Sequence, residues 1–214
     1  MTTRRAIARD ESRAEVMLRA ATAMARHGYH GMSMRDLAKS TRRSLASFYN
    51  LFQSKEDILF ELQRTSFESL IEAAEAVLAS TTDPDARLDA FVDNHVRFFV
   101  EKPDVMRVLV VEASALPPAR RAAIRALKQR YFDLGAEVVA ALGPEGADAM
   151  AVERAAYNVF GMLNWIFGWY TPERHGPPEV LAASIATLAR KGAAAAFAPA
   201  KTSPLTKPSG GPRS

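Results

Sequence analysis

Helix-capping residues and prolines divide this chain into segments whose apolar residues recur every three or four positions. The first segment runs from 12 to 27, and Gly28 follows it as a residue that favours a helix end. Its apolar positions are Val16, Met17, Ala20, Ala21 and Met24. No segment alternates apolar and polar residues as a half-buried strand does. The sequence therefore predicts an all-α protein.

Serine caps and prolines predict where the other helices begin. Ser33 with Asp36, and Ser54 with Asp57, have the capping-box spacing. They predict a short second helix and a long fourth helix that reaches about residue 80, with a short third helix over about 44–51 between them. Prolines divide the remainder and bring the total to about nine helices. The predicted later helices span 84–101, 104–115, 118–142, 147–170 and 178–197.

Composition narrows the class of protein. The chain has 214 residues and is 48% hydrophobic, which is enough to bury a core. It lacks both a run of about 18 apolar residues and the apolar centre of a signal peptide, so we expect a cytoplasmic protein without a membrane partner. With no cysteine, four scattered histidines and no glycine-rich phosphate loop, neither a metal site nor a cofactor nor enzymatic activity is expected.

Positive charge is concentrated at the N-terminal end. Residues 1–55 carry eleven Lys and Arg against four Asp and Glu, whereas residues 56–214 carry 17 against 20. A basic head on a slightly acidic body is typical of proteins that bind nucleic acid. A basic solvated face would have the same composition, so charge alone leaves both interpretations open.

The segment RDLAKSTRRSLASFYNLFQSKEDI, residues 35–58, places two arginines in the turn between two short helices. With the preceding helix, it resembles the N-terminal DNA-binding region of the tetracycline-repressor (TetR) family of transcriptional regulators. The resemblance covers about residues 13–62. Its strongest elements are Gly28-Tyr29, the Ser33 cap, Leu37-Ala38 and the YNLFQSKE motif that begins at Tyr49.

The resemblance implies four regions. These are a basic N-terminal arm over 1–11, a helix-turn-helix DNA-binding domain over 12–55, a ligand-binding and dimerisation domain over 56–197, and a tail over 198–214. The Pro, Ser and Gly content of the tail predicts disorder. The arm carries arginines at positions 4, 5 and 9, which either follow DNA phosphates or enter the minor groove, or else remain solvated.

In a helix-turn-helix, the second helix enters the major groove while the first crosses the DNA backbone. Phe48 and Phe52 are one turn apart and are expected to face inward, which turns Tyr49 and Asn50 outward. The resemblance implies that Tyr49 reaches a phosphate and that Lys55 holds the DNA backbone. The complete set of expected DNA-binding residues is Ser33, Arg42, Arg43, Ser44, Leu45, Ala46, Ser47, Tyr49, Asn50 and Lys55.

The turn departs from the family pattern. Relatives usually have Ala-Gly-Val-Ser where this chain has Thr41, Arg42, Arg43 and Ser44. A turn position that requires positive φ loses about 1 kcal/mol when glycine is replaced, and a buried valine position cannot hold a bare guanidinium. Phosphate pairing by one or both arginines would compensate, with the stem of Arg43 covering the apolar gap. The alternative is that both arginines project into solvent.

The body has the composition of an apolar ligand pocket, and equally of an ordinary core. We expect His95 to be a core or pocket-edge histidine rather than a metal ligand. The expected ligand-binding residues are Asn94, His95, Phe98, Met106, Tyr131, Asn158, Met162 and Trp165.

A single two-turn helix reads too few base pairs for useful specificity, so we expect a homodimer on double-stranded operator DNA. The last two long helices are expected to pair. The candidates are the apolar positions of 147–170 that the pocket does not use, together with Leu181, Ala182, Ile185, Leu188 and Ala189. The favoured function is a repressor released from DNA by a small, largely apolar effector, with coupling through the fourth helix. The alternative is a constitutive DNA-binding protein without a ligand.

Overall fold

The structure is a computed structural model that describes residues 2–112 and 114–197, without the side chains of residues 2–12 and 194. This part of the chain contains ten α-helices and no strand, as the all-α prediction requires. The tail over 198–214 lies outside the described residues. The helices are α1 (Thr2–His27), α2 (Met34–Ser40), α3 (Leu45–Tyr49), α4 (Lys55–Leu78), α5 (Pro84–Glu101), α6 (Pro103–Val111), α7 (Pro118–Ala140), α8 (Ala149–Asn164), α9 (Pro172–His175) and α10 (Pro178–Ala196).

The head consists of α1, α2 and α3, and the body contains the later helices. In the body, α5 packs against both α4 and α10, while α7 lies between α4 and α8. The short α6 packs against α1 and so joins the body to the head. Among the described residues, no helix combines the length and apolarity needed to cross a bilayer.

The predicted caps and glycine end points are present. α1 ends at His27, and Gly28 adopts φ 75°, the left-handed conformation that only glycine adopts without cost. The Ser33 hydroxyl accepts a hydrogen bond from Asp36 N, and the Asp36 carboxylate accepts one from Ser33 N, which completes the capping box. Ser54 caps α4 by accepting from Asp57 N at 3.1 Å.

Three predicted boundaries differ from the structure. α1 begins at Thr2, so residues 2–11 extend the first helix instead of forming a separate arm. The helix predicted over 104–115 ends at Val111, and the one predicted over 147–170 ends at Asn164, followed by a 3₁₀ turn and α9. The reason for the last difference is local, because Gly168 is a poor helix former and a residue before proline avoids the helical region.

Candidate DNA-binding head and ligand cavity

The turn between α2 and α3 forms the paired hydrogen bonds of a Schellman motif. Arg43 N donates to Ala38 O at 3.0 Å, and Arg42 N donates to Lys39 O at 3.1 Å. Arg42 has φ 58°, the left-handed value that this motif requires and that glycine most often supplies. The structure therefore has an arginine with a strained backbone at the position where the sequence predicted a requirement for positive φ.

Helix α3 presents a small, polar outer face. Phe48 and Phe52 are 0% and 1% exposed, and their ring centroids are 5.7 Å apart, so they anchor the helix to the core of the head as predicted. Tyr49 is 46% exposed, and Ala46 and Asn50 are also exposed. A helix with small residues on its outer face can approach DNA closely enough for side chains to reach base edges.

Other predicted DNA-binding residues have structural roles in the head. Ser44 is the N-cap of α3 and accepts from Ser47 N at 3.2 Å, while Ser33 caps α2, and its hydrogen bonds lower the pKa of the Asp36 carboxyl. Leu45 is half-buried and packs against the core. Both serines are exposed at the helix starts.

Arg43 lies against α3. Its Nη1 donates to Ser47 Oγ at 3.3 Å, and the residue is half-buried, which agrees with the expected role of its stem in covering apolar surface. Arg42 and Arg43, with Arg19 of α1, line a shallow surface groove beside Ser44. Arg19 is paired with Glu15 at 2.6 Å. The groove therefore combines three guanidinium groups at one edge of α3.

Lys55, which the sequence suggested as a DNA-backbone contact, already makes two contacts with Tyr29 inside the head. Its Nζ donates to Tyr29 O at 2.9 Å and lies 4.4 Å from the centroid of the Tyr29 ring. Burial, with the Glu56 carboxylate as the next contributor, raises the pKa of Tyr29 to about 12, so this ring stays neutral. Because an ammonium has three donors, Lys55 keeps two N–H groups for another acceptor.

Arg13 of α1 is a structural residue that sequence reasoning missed. Its Nη1 donates to Leu51 O at 2.6 Å, its Nε donates to Glu61 Oε1 at 2.6 Å, and its guanidinium lies 4.5 Å from the Phe52 ring centroid. These contacts fix α1 to the end of α3 and to α4. The sequence signal for this contact was a basic residue on the first helix, Arg13, and an acidic residue two turns into the fourth helix, Glu61.

A cavity of about 420 Å³ lies between α4, α5, α6, α7 and α8. This volume is within the usual range for small-molecule sites. Three of the predicted ligand-binding residues line it, namely His95, Met106 and Tyr131. The other lining residues are Phe67, Leu70, Leu109, Val110, Arg125, Lys128, Gln129, Phe132, Tyr157, Phe160 and Asn164.

His95 and Tyr131 form a neutral polar pair in the cavity wall. A hydrogen bond of 2.9 Å joins His95 Nδ1 and the Tyr131 hydroxyl, and both residues are buried. Burial lowers the pKa of His95 to about 3, although the Leu163 carbonyl acts in the opposite direction, and burial raises the pKa of Tyr131. At neutral pH this pair is therefore uncharged.

The remaining predicted ligand-binding residues do not line the cavity. On α8 the cavity face carries Tyr157, Phe160 and Asn164, whose spacing of three and four defines one side of the helix. Each α-helical residue advances by about 100°, so a shift of one or two positions turns a side chain away. Asn158, which is exposed, Met162, and Trp165, which is 62% exposed, therefore do not line this cavity.

On α5, Asn94 and Phe98 also lie outside the cavity lining. Asn94 is half-buried, and its Nδ2 has no hydrogen-bond partner among the described residues. Phe98 is buried, and Lys102 Nζ lies 4.9 Å from its ring centroid. Both are one turn or less from His95 but lie on other faces of α5, so of these three residues only His95 lines the cavity.

Hydrogen bonds join the head to the wall of the cavity. Tyr29 N donates to Glu112 Oε1 at 3.1 Å, just beyond the end of α6, and Thr22 Oγ1 donates to Asp104 Oδ2 at 2.7 Å in its first turn. Helix α6 also contributes Met106, Leu109 and Val110 to the cavity. One short helix therefore contacts both the head and the space in which a ligand would lie.

The fold and the head define this protein as a helix-turn-helix DNA-binding protein with a hollow helical body. Residues 17–62 match the family described as bacterial regulatory proteins, tetR family, and residues 81–193 match the tetracyclin repressor-like C-terminal domain. The chain belongs to the TetR family of DNA-binding transcriptional regulators.

Similar proteins agree with this assignment. A crystal structure of a TetR-family transcriptional regulator from Bordetella parapertussis is 28% identical, with a TM-score of 0.79 over 83% of this chain and 93% of that one. AibR in complex with isovaleryl coenzyme A and operator DNA is 23% identical, with a TM-score of 0.73 over 83% and 97%. The HTH-type transcriptional activator FasR of Mycolicibacterium smegmatis is 22% identical over 74% of each chain. The relatives are transcriptional regulators and not enzymes.

Proposed function

We propose that this protein is a homodimeric repressor that binds operator DNA through α3 and leaves it when a small, largely apolar ligand enters the body cavity. The observation that supports this proposal best is the double contact of α6. Its residues Met106 and Leu109 line the cavity, while Asp104 and the adjoining Glu112 accept hydrogen bonds from the head. AibR has been crystallised with both a small molecule and DNA, which indicates that this fold accommodates both.

The proposed DNA contacts come from two groups of residues. Ala46 and Tyr49 of α3, with Asn50 at its C-cap, are exposed and point away from the core of the head. At its edge, Arg42 and Arg43 supply positive charge beside the α3 N-cap. In this arrangement the outer face of α3 reads base edges, and the arginines with Tyr49 and Lys55 hold phosphates.

The proposed dimer face lies on α8 and α10, which pack side by side. Met150 and Tyr157 of α8 are each 58% exposed, and Val180 and Leu188 of α10 are 57% and 58% exposed. Their spacings of seven and eight place each pair on one helix face. Exposed apolar side chains grouped on adjacent helices are typical of a protein interface.

Most of the residues that the sequence suggested for this interface are used within the protomer. Leu181, Ala182, Ile185 and Ala189 are all less than a tenth exposed, and they pack against the body core. Of the five candidates named on α10, Leu188 alone remains exposed, while the exposed Met150 belongs to the apolar positions predicted over 147–170. We therefore still propose that α10 contributes to the interface, but through its exposed face and not through the face that the sequence suggested.

The proposal is tested with DNA selected from a random library by the purified protein, followed by release assays with a metabolite set. We expect at least one small molecule to weaken binding to the selected DNA. Glu112→Ala, which removes the acceptor for Tyr29 N, should reduce this release while leaving ligand affinity nearly unchanged, because Glu112 contacts the head and not the cavity. A protein that binds selected DNA but responds to no small molecule would instead be a constitutive DNA-binding protein.

Dimerisation is measured separately by sedimentation. Leu188→Glu should convert the dimer to a monomer and abolish tight DNA binding. Ser80→Glu, at an exposed site just past α4, is the matched control and should leave the dimer intact. A Leu188→Glu variant that remains dimeric would place the interface elsewhere.

A further inference from the structure

The cavity wall contains a cation without a counter-charge. Lys128 of α7 is half-buried; its Nζ donates to Leu109 O at 3.3 Å and lies 5.5 Å from the Phe67 ring centroid. In the described part of the chain, no carboxylate forms an ion pair with Lys128 or with Arg125, which lies one turn earlier on the same wall. Burial lowers the pKa of Lys128. Removing an ammonium from water without a partner is costly, so an anion at this point would be stabilising.

The rest of the wall is apolar or neutral. Phe67, Leu70, Met106 and Phe160 supply hydrocarbon surface, and His95 is uncharged for the reason given above. A small inorganic anion would leave this apolar space unfilled. A neutral hydrocarbon would fill it but leave Lys128 unpaired. An amphiphile with one negative end satisfies both parts of the wall.

The volume and the number of donors narrow the chemistry further. At roughly 30 Å³ for a group the size of water, a cavity of about 420 Å³ holds about 14 non-hydrogen atoms. One partly buried lysine offers point-charge donors that suit a single carboxylate. A doubly charged phosphate is more often held by several donors with the bidentate geometry of arginine, and Arg125 is exposed at the edge of the wall.

We propose that the cavity binds a monocarboxylate with an apolar tail of about ten carbons, with the carboxylate at Lys128 and the tail toward Met106 and Phe160. This assignment rests on the proposed function, because it takes the cavity to be the effector site. The carboxylate accepts hydrogen bonds from Lys128 Nζ, and Gln129 and Asn164 of the same wall supply further polar groups. The tail occupies the space between α4, α6 and α8.

The test is calorimetric titration of the intact protein with decanoate, 1-decanol and decanoyl-coenzyme A. Decanoate should bind at least about tenfold more tightly than decanol, the lower end expected for a hydrogen bond to a charged group. Lys128→Met should lose that advantage while keeping decanol affinity. The matched control is Arg130→Gln, which removes an exposed charge of the same helix that pairs with Glu75 outside the cavity. It should leave all three affinities unchanged.

Several results would overturn the assignment. These are equal or tighter binding of decanol, tighter binding of the thioester, retained decanoate affinity in folded Lys128→Met, or no binding of any probe. Melting temperatures identify a misfolded variant, and Lys128→Gln then repeats the comparison. Operator release separates this proposal from the one above. Decanoate that binds as expected but leaves DNA bound refutes the regulatory function alone, whereas decanol that releases DNA refutes the carboxylate alone.

Discussion

Replacing Arg42 with glycine should raise stability and weaken DNA binding at the same time. Arg42 has φ 58°, and a residue with a Cβ in this region costs about 1 kcal/mol relative to glycine. Its side chain is exposed and makes no hydrogen bond or ion pair within the described residues. For a chain of this length, a gain of about 1 kcal/mol corresponds to a melting temperature about 2 to 4 °C higher.

The loss of DNA affinity follows from counterion release. Each phosphate contact contributes about 0.9 to the slope of log affinity against log salt. If the contact contributes nothing at 1 M salt, its loss weakens binding about eightfold at 0.1 M, and loss from both heads of a dimer weakens it about 60-fold. The slope of log affinity against log salt should become less steep by about 1.8. Fluorescence anisotropy on selected DNA at several salt concentrations measures both quantities.

Two further variants separate strain from charge at the same position. Asparagine tolerates the left-handed conformation without a charge, so Arg42→Asn should resemble Arg42→Gly in DNA affinity while keeping stability at or above that of the wild type. Arg42→Lys keeps both the charge and the Cβ, so its stability and salt slope should stay close to wild type. If Arg42→Gly gains stability without losing affinity or salt slope, the arginine faces solvent and the phosphate explanation fails.

Further predictions concern the α3 face and the core of the body. Tyr49→Ala should weaken binding to selected and unrelated DNA by similar factors at an unchanged melting temperature, and a selective loss would instead make Tyr49 a base-reading residue. Lys55→Ala should lower the salt slope by about one ion per head and also the melting temperature, since its Nζ bonds Tyr29 O. His95 should make stability depend on pH. Between its ordinary pKa near 6.5 and its pKa of about 3 in the folded protein, the unfolded chain binds a proton and the folded chain does not. Stability therefore falls as pH falls through this window. The free energy of unfolding should drop by about 2 kcal/mol from pH 7.5 to 5, and this drop should be largely absent in His95→Leu. Gly135→Ala should destabilise by about 1 to 3 kcal/mol, because its Cβ would lie 2.7 Å from Phe160 Cε2, and Phe160→Leu in the same chain should recover part of the loss.

The head could be predicted from sequence because its determinants are local. Ser33, Gly28 and the Phe48–Phe52 pair act within one or two turns, and each has the role in the structure that its spacing indicated. The requirement for positive φ at Arg42 was also visible, since it follows from the geometry of a short turn. What the arginines contact beyond the head is a separate question that local spacing does not address.

The cavity was harder to predict because its walls depend on how five helices rotate against one another. On α8, Phe160 and Asn164 line the cavity while Trp165 faces solvent, and aromatic residues lie on both faces. Periodicity therefore did not separate them. Lys128 was missed because a lysine on an otherwise charged helix is usually solvated. The available signal was its place one turn before Tyr131 on α7.

The junction between head and body accounts for how a ligand and DNA would oppose each other. The sequence suggested α4 as the connecting element, and α4 does contribute Phe67 and Leu70 to the cavity. Helix α6, however, joins the cavity to the head through the Tyr29–Glu112 and Thr22–Asp104 hydrogen bonds.

Each such bond contributes about 1 kcal/mol, and more where a carboxylate accepts. Displacing α6 far enough to break both would therefore change the head-to-body energy by about 2 to 3 kcal/mol. An effect of that size corresponds to a change in affinity of about 30- to 150-fold, and it is reciprocal, so bound DNA would weaken the ligand by the same factor. In the proposed function, a ligand that favours the displaced position of α6 would weaken these two bonds to the head and so oppose the DNA-bound arrangement.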